Sequence, residues 1–108
     1  MTDLKDRIES LVAQSEDPGG VDRGPAGDAV ANLIRALNAG DVRAAEPTED
    51  GTWATNEWVK EGILLGFHIG RTVDYSSDQF PFYDKNTFPL KPLRKADNVR
   101  LVPGGSAI

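Results

Sequence analysis

This chain of 108 residues predicts an α+β domain of three main helices and short strands. Three observations carry that expectation. Apolar residues recur at helical spacing in three separate segments. Two short alternating runs flank the turn-rich Pro47-Thr48-Glu49-Asp50-Gly51, and beyond Gly70 the helical period disappears. A chain of this length has room for one substantial hydrophobic core, so one domain over residues 1–108 is expected. Hydrophobic residues at 39% and charged residues at 27% set it apart from the hydrophobe-poor composition of disordered chains.

The first helix is expected over 1–14, because Leu4, Ile8, Leu11 and Val12 share one helical face. Thr2 or Asp3 supplies an oxygen for its exposed amides. The stretch 15–27, SEDPGGVDRGPAG, holds two prolines and four glycines and reads as a loop. A second helix is predicted over 28–39, with Ala29, Val30, Leu33, Ile34 and Leu37 as its stripe and Gly40 as its stop. Residues 41–55 form the expected β-hairpin between helices two and three.

Asn56 is placed as the cap of a third helix over 56–68. There Val59, Ile63 and Phe67 recur every four residues, and Trp58, Leu64 and Leu65 widen the apolar face. Residues 70–98 mix aromatics with prolines that remove backbone donors, and predict irregular, extended chain. Val99-Arg100-Leu101-Val102 is the extended C-terminal strand. After it the chain runs into Gly104-Gly105-Ser106-Ala107-Ile108, which reads as the opening of a further pattern and leaves that strand without a partner.

A net charge of −5 argues against binding to a phosphate backbone, which depends on Lys and Arg displacing counterions. The absence of cysteine removes disulfides and thiolate chemistry, and a cytoplasmic setting is expected. No apolar stretch has the length of a membrane span or signal peptide. Charge is uneven, however. From Lys91 to Arg100 the chain carries Lys91, Arg94, Lys95 and Arg100 against Asp97 alone. Such a run receives an anion or is a solvated basic surface, the second being the commoner meaning.

Candidate chemistry is sparse. His68 is the sole histidine, and with no suitably spaced nucleophile or second ligand a packing or helix-terminal role outweighs a catalytic one. The acidic residues match neither an EF-hand nor a His-x-x-x-His pair, so no metal site is expected. The glycines near Pro18 and Pro25 lack the Lys-Ser/Thr of a phosphate loop. Trp53 and Trp58 are expected to pack the hairpin onto the third helix. Phe80, Phe82, Tyr83 and Phe88 make an aromatic cluster that is either a partner surface or a satellite core. Arg100, mid-strand, alternates onto the face opposite Val99 and Leu101. It is a surface residue or, through its planar fork, a bidentate carboxylate holder.

With these residues laid out, the stretch from Gly40 to Val102 resembles the N-terminal region of the tetrahydrodipicolinate N-succinyltransferase family. The segments that carry the likeness are GDVRAAE, DGTWATNEWVKEGILLGFHI, FYDKNTF and VRLVP, in that order. The resemblance implies a helical N-terminal domain, a left-handed parallel β-helix and a C-terminal extension, with only the first part in this sequence. It also implies succinyl transfer from succinyl-CoA, the co-substrate, to the amine of a dicarboxylate in diaminopimelate and lysine biosynthesis. The coenzyme A groove and the reacting carboxylates then lie outside this chain, which binds no cofactor and is expected to be inactive alone.

By its place in VRLVP, Arg100 looks like the family's substrate-binding arginine. No catalytic and no metal-binding residue is assigned. The implied partners are the small dicarboxylate substrate and the β-helix portion or neighbouring subunits of a homotrimer, against which Phe80 to Phe88 would pack. The alternative is a stand-alone, non-catalytic interaction or assembly module that pairs with a separate β-helix or an intact enzyme.

Overall fold

The computed structural model describes residues 2–103 together with 106 and 107. Helix α1 spans Thr2–Ser15, with Leu4, Ile8 and Leu11 buried along one face. The chain then turns at Asp17–Gly20, where the Gly20 amide donates to the Asp17 carbonyl and Gly20 takes a φ of 72°, a conformation that glycine adopts without Cβ strain.

Helix α2 spans Arg23–Ala39, five residues earlier than the sequence suggests, so the expected loop 15–27 shortens at its far end. The reason lies in the first-turn amides, which have no partner inside a helix. Pro25 falls at the third helical position, where its missing donor is not needed. Asp22 caps the turn by accepting from the Gly24 amide at 3.0 Å. At the other end Gly40 has a φ of 80°. The Gly40 amide donates to Leu37 and the Asp41 amide to Ala36, the paired bonds of a Schellman stop.

The expected hairpin forms. Strands β1 (Ala45–Pro47) and β2 (Trp53–Thr55) pair antiparallel, with Glu46 opposite Ala54. The connecting loop closes on Asp50, whose Oδ1 accepts from the hydroxyls of Thr48 and Thr52 and from the Thr52 amide. These donors hold the Asp50 carboxyl down at a pKa of about 2 although it is fully exposed. Asn56 occupies the N-cap position of helix α3 (Glu57–Ile69), but its side chain makes no cap hydrogen bond. Its Nδ2 donates instead to the Arg43 carbonyl at 2.6 Å and its backbone amide to Ala44, so it ties the hairpin to the helix.

Helix α3 is the central element and packs on both α1 and α2. Its buried face is Trp58, Val59, Gly62, Leu65, Gly66 and Ile69. The sequence reading put Phe67 and Leu64 on that face, yet they are 45% and 55% exposed. Three glycines spaced four apart explain the rotation. A Cβ on Gly62 would stand 2.5 Å from Leu33 Cδ2, and one on Gly66 would stand 2.7 Å from Phe88 Cζ. Leu33 of α2 and Phe88 of a later segment therefore occupy the volume that side chains at these positions would take. The helix turns its smallest residues, not its largest, toward its neighbours.

Residues 70–98 are more ordered than expected. Strands β3 (Thr72–Asp74) and β4 (Tyr83–Lys85) form a second antiparallel hairpin, with Val73 opposite Asp84. The ladder continues outward through the Tyr75 amide to Phe82 and the Ser77–Phe80 pair. Pro81 lies between these rungs, where its lack of an N–H removes no ladder bond. A single turn of 3₁₀ helix, η1, follows at Lys95–Asp97. The last expected strand contracts from 99–102 to β5, Leu101–Val102, and it does have a partner: β6, Ser106–Ala107, antiparallel to it.

Among the described residues these three two-stranded sheets are separate from one another. The radius of gyration is 16.1 Å and the extents are 42 × 41 × 17 Å. A compact chain of this length has a radius of gyration of about 13 Å, so the hairpins lie beside the helices as a slab instead of wrapping around them.

Two outcomes test this account. Gly62→Ala is expected to lose about 1–3 kcal/mol in urea denaturation, because Leu33 and Ile8 already fill its space. Gly27→Ala, with nothing within 4 Å of the added methyl, is expected to gain about 0.5–1 kcal/mol from helix propensity. Equal losses at both positions would refute the packing argument. For Asp50, the folded pKa lies below the ordinary value of 3.8. The ionised carboxylate therefore orders the loop above about pH 4, and that contribution disappears as pH falls through about 2. A carboxyl NMR titration is expected to show Asp50 ionising near 2, and Thr48→Ala with Thr52→Ala to bring its midpoint back toward 3.8.

Candidate functional site

The basic run from Lys91 leads into a short, well-defined piece of chain. The Asp97 carboxylate accepts from the Arg94 backbone amide at 2.8 Å, and the Asp97 amide donates to the Arg94 carbonyl. The one acid in the run is thus turned toward the start of its own 3₁₀ turn. Asn98 follows at a φ of 55°, a left-handed conformation that asparagine tolerates better than most residues. It redirects the chain into Val99, Arg100 and β5. Lys91, Arg94, Lys95 and Arg100 are all exposed.

Arg100 precedes the strand instead of sitting inside it, flanked by Val99 at 43% and Leu101 at 59% exposure. An exposed guanidinium facing a carboxylate in water is worth little. The same pair shielded from water and bonded through both nitrogens is worth far more. The described residues leave Arg100 open, so the chemistry it offers is carboxylate recognition on condition that another surface closes over it. That surface has an apolar footing in the exposed Val99 and Leu101.

The other singled-out residues take structural places. His68 is exposed near the end of α3, beside a shallow depression shared with Ser15, Glu16 and Glu61. Among the described residues no group of three His, Cys, Asp or Glu side chains converges to hold a metal ion. Trp58 is buried in the core as expected. Trp53 is not a packing residue: it is 63% exposed, with the Arg43 guanidinium carbon 5.8 Å from the centre of its ring. In β2 it stands opposite Pro47.

The aromatic cluster divides. Phe88 enters the Gly66 notch and packs on Phe67 with ring centres 4.5 Å apart. Phe80 and Phe82, 5.9 Å apart, remain 41% and 47% exposed, and Tyr83 is 65% exposed.

Two contacts that hold the site's platform in place escaped the sequence reading. Arg23 Nη1 donates to the Ile69 carbonyl at 2.8 Å, and Thr87 Oγ1 donates to the Gly66 carbonyl at 2.8 Å. Both satisfy carbonyls near the end of α3 from far along the chain, and no local spacing announces them. A depression of about 810 Å³ between α1 and α2 is lined by Asp3 and Asp41 as well as Arg7 and Arg35. Its charges balance, which gives it no selectivity for either sign. No helix among the described residues is long and apolar enough to cross a membrane.

Three helices edged by two-stranded hairpins define an α+β domain. The model of the tetrahydrodipicolinate N-succinyltransferase N-terminal family matches residues 3–69. The chain belongs to that family. A 2,3,4,5-tetrahydropyridine-2,6-dicarboxylate N-succinyltransferase of Granulibacter bethesdensis is 36% identical to it over 94% of this chain and 36% of the relative. One from Shewanella baltica is 34% identical over 98% of this chain and 40% of its own length. One from Rhizobium meliloti is 47% identical over 44% of this chain. The chain therefore spans well under half the length of the curated relatives it matches.

Because the Arg100 side chain packs on little, Arg100→Ala is expected to leave stability within about 0.5 kcal/mol of the parent. Thr87→Val should lose about 1 kcal/mol by abandoning the Gly66 carbonyl. Chemical denaturation of both variants checks this contrast, and a large loss at Arg100 would show that it is structural.

Proposed function

We propose that this chain is the substrate-recognition and subunit-packing part of a tetrahydrodipicolinate N-succinyltransferase. In that reaction the succinyl group of succinyl-CoA passes to the amine of the opened-ring dicarboxylate, in diaminopimelate and lysine biosynthesis. The observation that carries the reading is the family match over residues 3–69, joined to near-complete coverage of this chain by full-length succinyltransferases. Arg100 lies outside the matched stretch. Its assigned role rests on its place in VRLVP and on its exposure beside an apolar footing.

In this reading Arg100 grips one substrate carboxylate with two parallel hydrogen bonds. Orientation of the dicarboxylate brings its amine to the thioester carbonyl. A base takes the amine proton as the C–N bond forms, and an oxyanion stabiliser meets the charge on oxygen before coenzyme A leaves. Those last two groups belong to the parts of the enzyme that this chain does not span, as does the coenzyme A groove. The slab shape and the exposed Phe80, Phe82 and Tyr83 support packing against a β-helix or a neighbouring subunit, a trimer being the arrangement that the family resemblance implies. The setting is cytoplasmic.

A chimera tests the proposal. Residues 1–108 replace the corresponding part of the Granulibacter bethesdensis relative, and succinyl transfer is followed by release of coenzyme A. The chimera is expected to turn over, and Arg100→Ala within it to raise KM for the dicarboxylate by roughly 10- to 100-fold, the value of one or two charge-assisted hydrogen bonds. The KM for succinyl-CoA should stay put. An unchanged dicarboxylate KM would remove Arg100 from the site. Tight binding of succinyl-CoA to the 108-residue chain alone, measured by calorimetry, would overturn the division of labour.

A further inference from the structure

Between α2 and the segment 86–92 runs a groove of about 500 Å³, within the range of small-ligand sites. Its apolar wall is Val30 and Ile34 of α2 facing Pro89, Leu90 and Pro92. Val30 is fully buried, whereas Leu90 is 72% exposed. Among the described residues its charged lining is Arg35 and Lys91, with no acid beside them. The chain as a whole carries 17 acidic residues against 12 basic ones. A groove holding two cations and no anion therefore runs against the field of the rest of the molecule, and charge in a low-dielectric cleft concentrates a ligand of the opposite sign.

The wall formed by residues 86–92 is fixed before any ligand arrives. Asn86 Oδ1 accepts from the Arg71 amide at 2.7 Å, Thr87 is bonded to the Gly66 carbonyl, and Phe88 is locked in the Gly66 notch. Preorganisation of this kind lowers the ordering penalty on binding. The larger depression between α1 and α2 shares Arg35, whose Nη2 donates to Asn32 Oδ1, and is lined by Asp3 and Asp41 as well.

We infer that the groove between α2 and residues 86–92 binds a small amphipathic organic anion, its carboxylate between Arg35 and Lys91 and its apolar body along Ile34, Pro89 and Leu90. This site is separate from Arg100 and does not depend on the role proposed for that residue.

The test is an NMR titration of the 108-residue chain with hexanoate, hexanol and inorganic phosphate in parallel. Hexanoate is expected to shift the amides of Ile34, Arg35, Leu90 and Lys91 saturably. Hexanol and phosphate, each lacking half of the ligand, are expected to bind at least about tenfold more weakly. The double variant Arg35→Gln, Lys91→Gln should weaken hexanoate by a similar factor, its fold being checked by amide dispersion. Equal binding of hexanol would reduce the groove to an apolar crevice, and equal binding of phosphate would remove the apolar wall from the site. Shifts centred on Arg100 and abolished by Arg100→Ala, or no saturable shift at all, would also overturn the inference. Should the double variant fail to fold, the three-probe comparison on the parent chain decides.

Discussion

Helix α3 meets α1, α2 and the segment after β4 most closely at residues that have almost no side chain. Gly62 admits Leu33 and Ile8, Gly66 admits Phe88 and Val30, and Gly70 lies against Thr87 and Lys85. Each glycine thus records a place where a neighbour approaches the helix backbone more closely than a methyl group would allow. The first joins α1 and α2 to α3, the second brings in the segment after β4, and the third seats the second hairpin against the end of the helix. Dispersion gains depend on such close approach, since a gap of under 1 Å forfeits a large part of each contact. Remove the seam and the slab loses both its core contact and the alignment of its C-terminal half.

That constraint also explains why the larger residues of α3 point outward. A helix has a limited circumference. With one stripe given to glycine and the flanking positions to Val59, Leu65 and Ile69, Leu64 and Phe67 are left on the far side. Phe67 recovers part of its apolar surface by packing at a tilt on Phe88, so Phe88 serves the inner seam with its ring edge and the outer face with its ring.

Much of the architecture was legible in the sequence, and the failures share a cause. The helical stripes of Leu4–Leu11 and Val30–Leu33, the Gly40 stop and the first hairpin follow from local rules, and they stand where those rules put them. The start of α2 was misread because Gly24 and Pro25 break helices in general but not in a first turn. The face of α3 was misread because counting hydrophobic residues assigns weight to size, and here the seam selects smallness. The hairpin β3–β4 escaped because Pro81 suggested irregular chain, although it falls between rungs.

The exposure of Arg100 was readable, while the carbonyl contacts of Arg23 and Thr87 join residues 46 and 21 positions apart. No spacing rule reaches that far. The family likeness was carried by ordered segments such as DGTWATNEWVKEGILLGFHI, in which three seam or cap residues, Asn56, Gly62 and Gly66, are embedded.

The flatness of the slab has a thermodynamic meaning. Its accessible surface is 7929 Å², whereas a compact monomer of its mass exposes about 5,900 Å². The excess, roughly 2,000 Å², exceeds what each partner contributes to a standard-sized protein interface, about 800 Å². Were a partner to cover a surface of that extent, folding and association would become parts of one equilibrium. Whatever covers the slab stabilises it by mass action, in proportion to the logarithm of its concentration over its dissociation constant. The stability of this chain would then be a property of its surroundings as much as of its sequence, and a melting temperature measured on it would report how much of that face is occupied.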